Sequence, residues 1–544
     1  MSRRRVSVAH KIRRKLRPRY ASFHPRNVAY KWWLLANVMI GTFMAVLDST
    51  VVNVGLPKIM ASFGVGIDKI EWVITAYMLA MAVMLPTSAW LADKFGYKRI
   101  YFLGMLIFTF GSFLCGFSPN ENMLILSRII QGLGAGTLMP LGMAIITHEF
   151  PPQQRGVALG FWAIASAASV SFGPLIGGFL VDNFSWHLIF DVNVPVGIVG
   201  LLATVIIQQE YKNKNVRGFD LVGFISASLF LPLTLYALSQ GTASTNTEGW
   251  HATRVLVCFA IAAVAFVIFL TNELIVEEPL VDLKLLADRN FGTSTIMVFI
   301  FGLGMFGSTF LIPLYLQNSL GYTALQAGSV FLPVGIIQGF MSPISGKIAD
   351  KFSVKIMLII ALFIFACSFY INSKLSFLTE RGYIMISLYL RGFSLGMIFT
   401  PLSSVAVLDI PREKMAQAAG LSNIVRQLGG SFGVAILATL LTTRVNYHAQ
   451  VFGQSVETNS QTYKNVTANM NYYLLHQAGV SPQKAVQLSR TAIYAQVSKE
   501  AYIQAIDDDF MVAGIITLLC ILPVFRLHDK RKKTKSKKYD ESTV

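Results

Sequence analysis

The sequence predicts an all-α integral membrane protein: fourteen transmembrane helices, arranged as two six-helix bundles with two further helices inserted between them. Three observations predict it, namely the hydropathy of the chain, an internal repeat, and the placement of its basic residues. The 544 residues are 54% hydrophobic and 14% charged, with mean hydropathy +0.55. A soluble chain carries about 25% charged residues, so most of this one is solvated by lipid.

Gly, Pro and charged residues punctuate the apolar runs into fourteen spans. They begin near Trp33, Ile70, Arg99, Asn122, Val157, His187, Asp220, Val255, Phe291, Leu325, Ile356, Tyr383, Met415 and Phe510. The first runs from Trp33 to Pro57, and its about 25 residues at 1.5 Å each can cross a hydrocarbon core of about 30 Å. It follows a basic stretch, as a signal peptide would, but it is too long, lacks a small-x-small cleavage site, and is expected to stay as the first helix.

The net charge of +18 gathers at the ends: eleven Lys and Arg lie between Arg3 and Lys31, and eight between Arg526 and Lys538. Beside membrane spans such segments mark the cytosolic face and anionic lipid rather than nucleic acid. The short loops Asp93 to Arg99 and Lys347 to Lys355 carry the same bias, so both termini are expected in the cytoplasm. Cys115, Cys258, Cys367 and Cys520 are far apart in apolar runs, which argues against a disulfide framework and a metal knuckle.

Two distant stretches repeat. Leu91 to Ile100 aligns with Ile348 to Met357 at an offset of 257, sharing Ala-Asp-Lys-Phe. Pro151, Ala158, Gly160 and Ser171-Phe172-Gly173 align with Pro411, Ala418, Gly420 and Ser431-Phe432-Gly433 at an offset of 260. A parallel repeat therefore relates spans 1–6 to spans 9–14. The expected divisions are a basic segment 1–31, a first bundle 32–208, inserted helices and linkers 209–290, a second bundle 291–528, and a basic tail 529–544. Two like-oriented bundles around a midplane site are a transporter plan in which the halves rock. Within the second bundle, the polar outer segment Leu441 to Asp508 reads as amphipathic helix, with Ser481-Pro482 opening a helical pattern. It is either a cap over the mouth or a docking surface for an outer partner.

Charges inside spans are costly and mark function by default. Asp48 interrupts the first span about 13 Å from its outer end, and Arg128 lies about 9 Å into the fourth. Similar depths allow a direct or water-bridged pair. A carboxylate poised between burial and a guanidinium can load and release protons; the alternative is a static pair that orients two helices. Asn53, Asp191, Tyr315, Gln317, Arg391 and Arg426 are further cavity or coupling candidates. No carboxylate is expected deep in spans 9–13, which disfavours dicationic cargo. Gly132, Gly134 and Gly136, with Gly173, Pro174, Gly177 and Gly178, permit close helix contact and a hinge or seal at the proline.

Enzyme-like strings lack their context. Gly392 to Gly396 fits a nucleophile elbow and Gly302 to Gly307 a dinucleotide fingerprint, but both lie inside spans without strand-turn-helix surroundings. No GxxxxGK[ST] or HExxH string is present, so direct drive by ATP and metalloprotease chemistry are not expected. The chain is read as not an enzyme.

Leu47-Asp48-Ser-Thr50-Val-Val-Asn53-Val-Gly-Leu-Pro57 resembles the first-helix motif of the fourteen-span drug:proton antiporters (EmrB/QacA-like) of the major facilitator superfamily. Ala89 to Arg99 resembles the superfamily's loop between helices 2 and 3, with Asp93, Gly96 and Arg99 in place and Ala89 where glycine is usual. Leu124 to Gly136 resembles the helix-4 motif around Arg128. Ser169 to Gly178 resembles the antiporter motif, keeping Gly173-Pro174 and Gly177-Gly178 with Ser169 for glycine. Trp186 to Gly197 resembles a branch signature in which Asp191 replaces an apolar residue.

The resemblance covers about residues 30–528. It implies the major facilitator fold and proton-driven export of small amphipathic compounds, with Asp48 and Arg128 coupling the proton. No cofactor is implied beyond the proton gradient. The long outer segment is similar to EmrB-like pumps, which implies an inner-membrane permease working with a periplasmic adaptor (membrane fusion protein) and an outer-membrane channel. Solute:proton symport on the same fold and a non-transporting membrane receptor are the alternatives.

Overall fold

A computed structural model describes residues 30–150, 152–211, 218–241, 246, 248–277, 279–406, 410, 415–456, 460–476, 478 and 480–528. Most of the basic segment 1–31, all of the tail 529–544, and Pro151 and Pro411 of the repeat lie outside the described residues, as do the side chains of Ala89, Ser171, Asp350 and Lys351. Among the described residues the structure is helical, without strands.

The first half comprises α1 (Tyr30–Phe63), α2 (Ile67–Phe95), α3 (Tyr97–Gly116), α4 (Glu121–Glu149), α5 (Pro152–Asn183), the short α6 (Leu188–Asp191) and α7 (Asn193–Ile207). Then come α8 (Leu221–Gly241) and α9 (Thr253–Ile275). The second half comprises α10 (Arg289–Asn318), the short α11 (Ala324–Ser329), α12 (Leu332–Lys351), α13 (Val354–Asn372), α14 (Arg381–Ala406), α15 (Met415–Ser455), α16 (Gln461–His476), α17 (Pro482–Leu519) and α18 (Ile521–Val524). Eleven described segments are long and apolar enough to cross a membrane. Helices α2, α5 and α17 run alongside them, an order compatible with the fourteen expected spans.

Local signals set several boundaries. Asn120 caps α4 by accepting from Met123 N at 2.9 Å, and Asp288 caps α10 by accepting from Phe291 N at 2.8 Å. Thr323 and Gln326 form a reciprocal capping box on α11. Ser481 stands at the N-cap of α17 with Pro482 following, as the sequence suggests, but its side chain makes no cap bond.

Three expectations need correction. Helix α1 does not stop at Pro57; it continues to Phe63 and ends at Gly64, whose φ is +66°. Ile59 is buried beyond the proline, so packing holds the chain helical across it. Asp48 is thus about 22 Å from the helix end, not about 13 Å. The outer segment is also not one helix: α16 fills its middle, between the long α15, which enters it, and α17, which leaves it. The 41 and 38 residues of α15 and α17 far exceed the about 20 needed to span a bilayer. Finally, Asp509 lies inside α17 and is fully buried, where the sequence reading began the span one residue later.

Each half is built by neighbouring helices: α2 and α3 pack on α4, and α1 packs on α5, while α10 packs on α15 and α12 and α13 pack on α14. The inserted α8 and α9 pack on each other, with α8 also touching α2 and α15. The halves meet along α2 with α15, and along α5 with α11 and α12.

Backbone contact sets the second seam. A Cβ on Gly178 would lie 2.4 Å from the Ala324 carbonyl oxygen, and one on Gly328 would lie 2.0 Å from that of Pro174. Polar ties near the C-terminal end of α5 and the N-terminus of α11 reinforce it. Asp182 accepts from Ala324 N at 3.0 Å and Leu325 N at 2.6 Å, a carboxylate at a helix N-terminus. Gln317 donates from Nε2 to the Val54 carbonyl at 2.8 Å, joining α10 to α1. The halves are thus in close contact along this seam.

Replacing Gly178 by leucine therefore forces the seam apart. Spin labels at Phe184→Cys and Thr323→Cys, with the native cysteines replaced, are expected to show longer distances in Gly178→Leu. An unchanged distance distribution would show that close backbone approach does not set the seam.

Candidate functional site

A polar cluster lies inside the first half, surrounded by apolar packing. Asp48 from α1 is fully buried, as are Ser112 from α3 and Arg128 and Gln131 from α4. Arg128 donates through Nη1 to Asp48 Oδ2, forming a direct ion pair. Its Nε donates to the Val73 carbonyl on α2 at 2.8 Å, and Nη1 also reaches Gln131 Oε1 at 2.6 Å.

The other carboxylate oxygen is held by amides. Asp48 Oδ1 accepts from Gln131 Nε2 at 2.7 Å and from Asn193 Nδ2 of α7 at 3.1 Å. Gln131 Nε2 also donates to Ser112 Oγ at 2.5 Å. The guanidinium lies 4.0 Å from the Tyr77 ring centroid and 5.7 Å from that of Phe190, so aromatic faces cover it. Tyr77 in turn donates to the Ala45 carbonyl at 2.9 Å. The acid on α1 is bonded from α4 and α7, and α2, α3 and α6 complete the cluster around the pair.

A buried ion pair is worth little against apolar packing, but removing one partner strands the other at a cost of about 3–5 kcal/mol. Chemically, the carboxylate is the only group in the cluster that can accept a proton and lose its charge. Protonation would cancel the attraction to Arg128 while leaving the amide contacts to be rearranged.

The sequence reading paired Asp48 with Arg128 but passed over Gln131, Ser112 and Tyr77, and met Asn193 only as part of the Trp186 to Gly197 stretch. One signal was available: Gln131 is three residues after Arg128 and so shares its helix face. Nothing comparable marks Ser112.

Other candidates fall elsewhere. Asp93, Gly96 and Arg99 belong to the turn between α2 and α3. Asp93 accepts from Tyr97 Oη at 3.0 Å. Gly96 has φ +110°, and a Cβ there would meet Glu210 Oε1 at 2.3 Å. Glu210 accepts from the Lys98 and Arg99 backbone N–H groups at 3.1 and 3.2 Å and lies 3.6 Å from the Arg99 side chain. Glu210, absent from the sequence reading, clamps this turn.

Gly173, Pro174, Gly177 and Gly178 line the face of α5 toward α1 and α11. A Cβ on Gly173 would meet Thr50 Oγ1 at 2.1 Å, and one on Gly177 would meet Val51 at 2.6 Å. Asn53 reaches only Ser49 of its own helix, at 3.5 Å. Gln317 is the seam tie already described, and Tyr315 donates to the Ser376 carbonyl at 2.8 Å. Asp191 sits against Gly116, where a Cβ would meet its Oδ1 at 2.0 Å. Nearby, just before the span that begins at Leu188, burial holds the His187 imidazole below its ordinary pKa, with Asp191 opposing. Arg391 and Arg426 lie in the second half, apart from the Asp48 cluster. Among the described residues, no group of three or more His, Cys, Asp and Glu could hold a metal.

A family model of the Major Facilitator Superfamily matches residues 38–434. The multidrug export protein EmrB of Escherichia coli (strain K12) is 31% identical over 484 residues, 88% of this chain and 92% of its own. An uncharacterized MFS-type transporter, YhcA of Bacillus subtilis (strain 168), is 30% identical over 94% of this chain and 96% of its own. The fatty acid resistance protein FarB of Neisseria gonorrhoeae is 29% identical over 90% and 95%. Among solved structures, an inward-facing, unoccupied bacterial homolog of the human lysosomal transporter Spinster superposes with TM-score 0.60 at 15% identity, covering 93% and 100% of the two chains. A D-xylose-proton symporter superposes with TM-score 0.58 at 12% identity, covering 92% and 98%. At such identities these two establish the fold alone.

The cluster makes Gln131 and Asp48 energetically dependent on each other. Gln131→Leu leaves a buried acceptor of Asp48 without its donor, at a cost of about 1–3 kcal/mol. Its effect on the melting temperature should be distinctly smaller in an Asp48→Asn background than in the native chain. Additive effects would mean that the two side chains do not depend on one another.

Proposed function

Because the chain belongs to the major facilitator superfamily, we propose that it is a proton-coupled antiporter exporting small amphipathic compounds, with Asp48 as the proton-carrying group. The observation that carries the reading is the buried Asp48–Arg128 pair, held by Gln131 of α4 and Asn193 of α7. A coupling ion must bind the two access states differently. Asp48 meets that requirement in principle: its proton affinity depends on contacts from α2, α3, α4 and α7, any of which can change when the bundle tilts.

The direction of transport is supported by relatives named as multidrug export proteins across most of their length. Symport shares the fold, as the D-xylose-proton symporter does, so the fold alone does not choose between them. Transport rather than catalysis follows from membership of the family. The energy source in this reading is the proton gradient, with no cofactor.

In the same reading the protein resides in the inner membrane with both termini cytoplasmic, and the helices projecting beyond the bilayer meet a periplasmic adaptor linked to an outer-membrane channel. Support comes from the length of α15 and α17, and from the exposed Tyr472, Tyr473 and Tyr494 on α16 and α17. A cleft of about 270 Å³ between α15 and α17, lined by Phe452, Val456, Gln496, Val497 and Glu500, adds a concave feature on the same outer segment.

The test uses inside-out vesicles with an imposed interior-acid gradient. Addition of a transported dye should release protons from the native protein, and Asp48→Asn should abolish both this release and gradient-driven dye uptake while eluting as a folded monodisperse protein. Uptake by Asp48→Asn at the native rate would remove Asp48 from the mechanism, and proton movement in the opposite sense would establish symport.

A further inference from the structure

Arg128 and Arg391 are 263 residues apart, close to the offsets that register the repeat. The residue that Arg391 meets on α10 is Thr309, which follows Asp48 by 261. The two halves therefore place an arginine in corresponding positions, but only the first supplies it with an acid.

Arg391 is only 3% exposed. Its Nη2 donates to the Met305 carbonyl at 3.0 Å and to Thr309 Oγ1, while its Nη1 is buried without a partner. No Asp or Glu occurs anywhere in α10, α13, α14 or α15. Met305 and Thr309 are partly exposed, so the guanidinium lies just beneath accessible surface.

A second arginine shares the condition. Arg426 on α15 donates to Asn423 through Nη2, and its Nε is buried and unpartnered. Its guanidinium lies 5.3 Å from the Phe399 ring centroid on α14, and its backbone carbonyl faces Gly302 on α10. The two arginines thus flank α10, each with an unused N–H, beside the Phe301–Phe399 ring contact.

Two buried cations with spare donors, on helices that with α10 and α13 carry no Asp or Glu, call for an anion from outside the chain. The geometry points to Arg391, assisted by Arg426, as the receptor for the anionic head group of a transported amphipath, with Phe399 and Phe301 against its apolar body. This rests on the transport reading and adds the substrate class: carboxylates and sulfonates over neutral or cationic analogues. An anionic lipid head group offers the same chemistry, and the experiment separates the two sources.

The purified protein in phosphatidylcholine nanodiscs is titrated by equilibrium dialysis with 2-naphthoate, 2-naphthalenemethanol and 2-naphthylmethylammonium. A charge-assisted hydrogen bond to a buried guanidinium should favour naphthoate over the alcohol by about tenfold or more. Arg391→Gln should remove that preference while leaving the affinity for the alcohol unchanged, which reports an intact fold. Arg391→Lys should restore part of it, and Arg426→Gln should reduce it.

Equal affinities for all three ligands in the native protein would overturn the proposal, as would a preference that survives Arg391→Gln. If Arg391→Gln does not fold, the native selectivity and the Arg426→Gln variant decide. Loss of naphthoate preference on adding phosphatidylglycerol would assign the arginines to lipid and also overturn it. Naphthoate selectivity that persists when Asp48→Asn still transports would sink the proton-coupling reading and spare the anion site.

Discussion

The constraint that organises the first half is the cost of a carboxylate out of water. Asp48 carries no exposed surface, and each of its oxygens is met by donors that belong to other helices. Such donors must be in place before the acid can ionise without a large penalty. Gln131 illustrates the economy of the arrangement: its amide N–H groups serve Asp48 and Ser112, and its carbonyl oxygen serves Arg128. The acid is therefore sensitive to the positions of α4 and α7 relative to α1, which is the property a group coupled to conformational change requires.

The second half lacks this compensation. Thr309 and the Met305 carbonyl are neutral acceptors, and they leave part of the Arg391 guanidinium unsatisfied. The repeat thus preserved the arginine and not the acid. One copy of the fold holds a directly paired arginine, and in the other Arg391 meets only neutral acceptors. A pair of halves so divided can separate the labours of proton handling and ligand holding between two bundles that move against each other.

The architecture was legible because it is written in quantities that need no tertiary information. Apolar length marks the spans, and their number and helical character mark the fold class. Asp48 and Arg128 were legible for the same reason, since a charge in an apolar run is conspicuous. Gln131 and Asn193 were not, because polar amides are common in helices and only the fold shows which of them face an acid. Glu210 escaped for another reason: it follows the sixth span, far in sequence from the turn it clamps, and only the return of the chain at the end of α7 brings them together. The length of α1 was misjudged because Pro57 reads as a stop, whereas buried contacts at Ile59 carry the helix past it.

The position of Asp48 on its helix links the ion pair to the seam between the halves. Thr50 and Val51 receive Gly173 and Gly177 of α5, and the Val54 carbonyl receives Gln317 of α10. All lie within six residues of Asp48, about two turns of one rigid helix. A shift or rotation of α1 that follows a change of charge at Asp48 therefore acts on these contacts without an intervening relay. The same helix that carries the acid carries one wall of this seam, so the charge state and the seam share a single mechanical element.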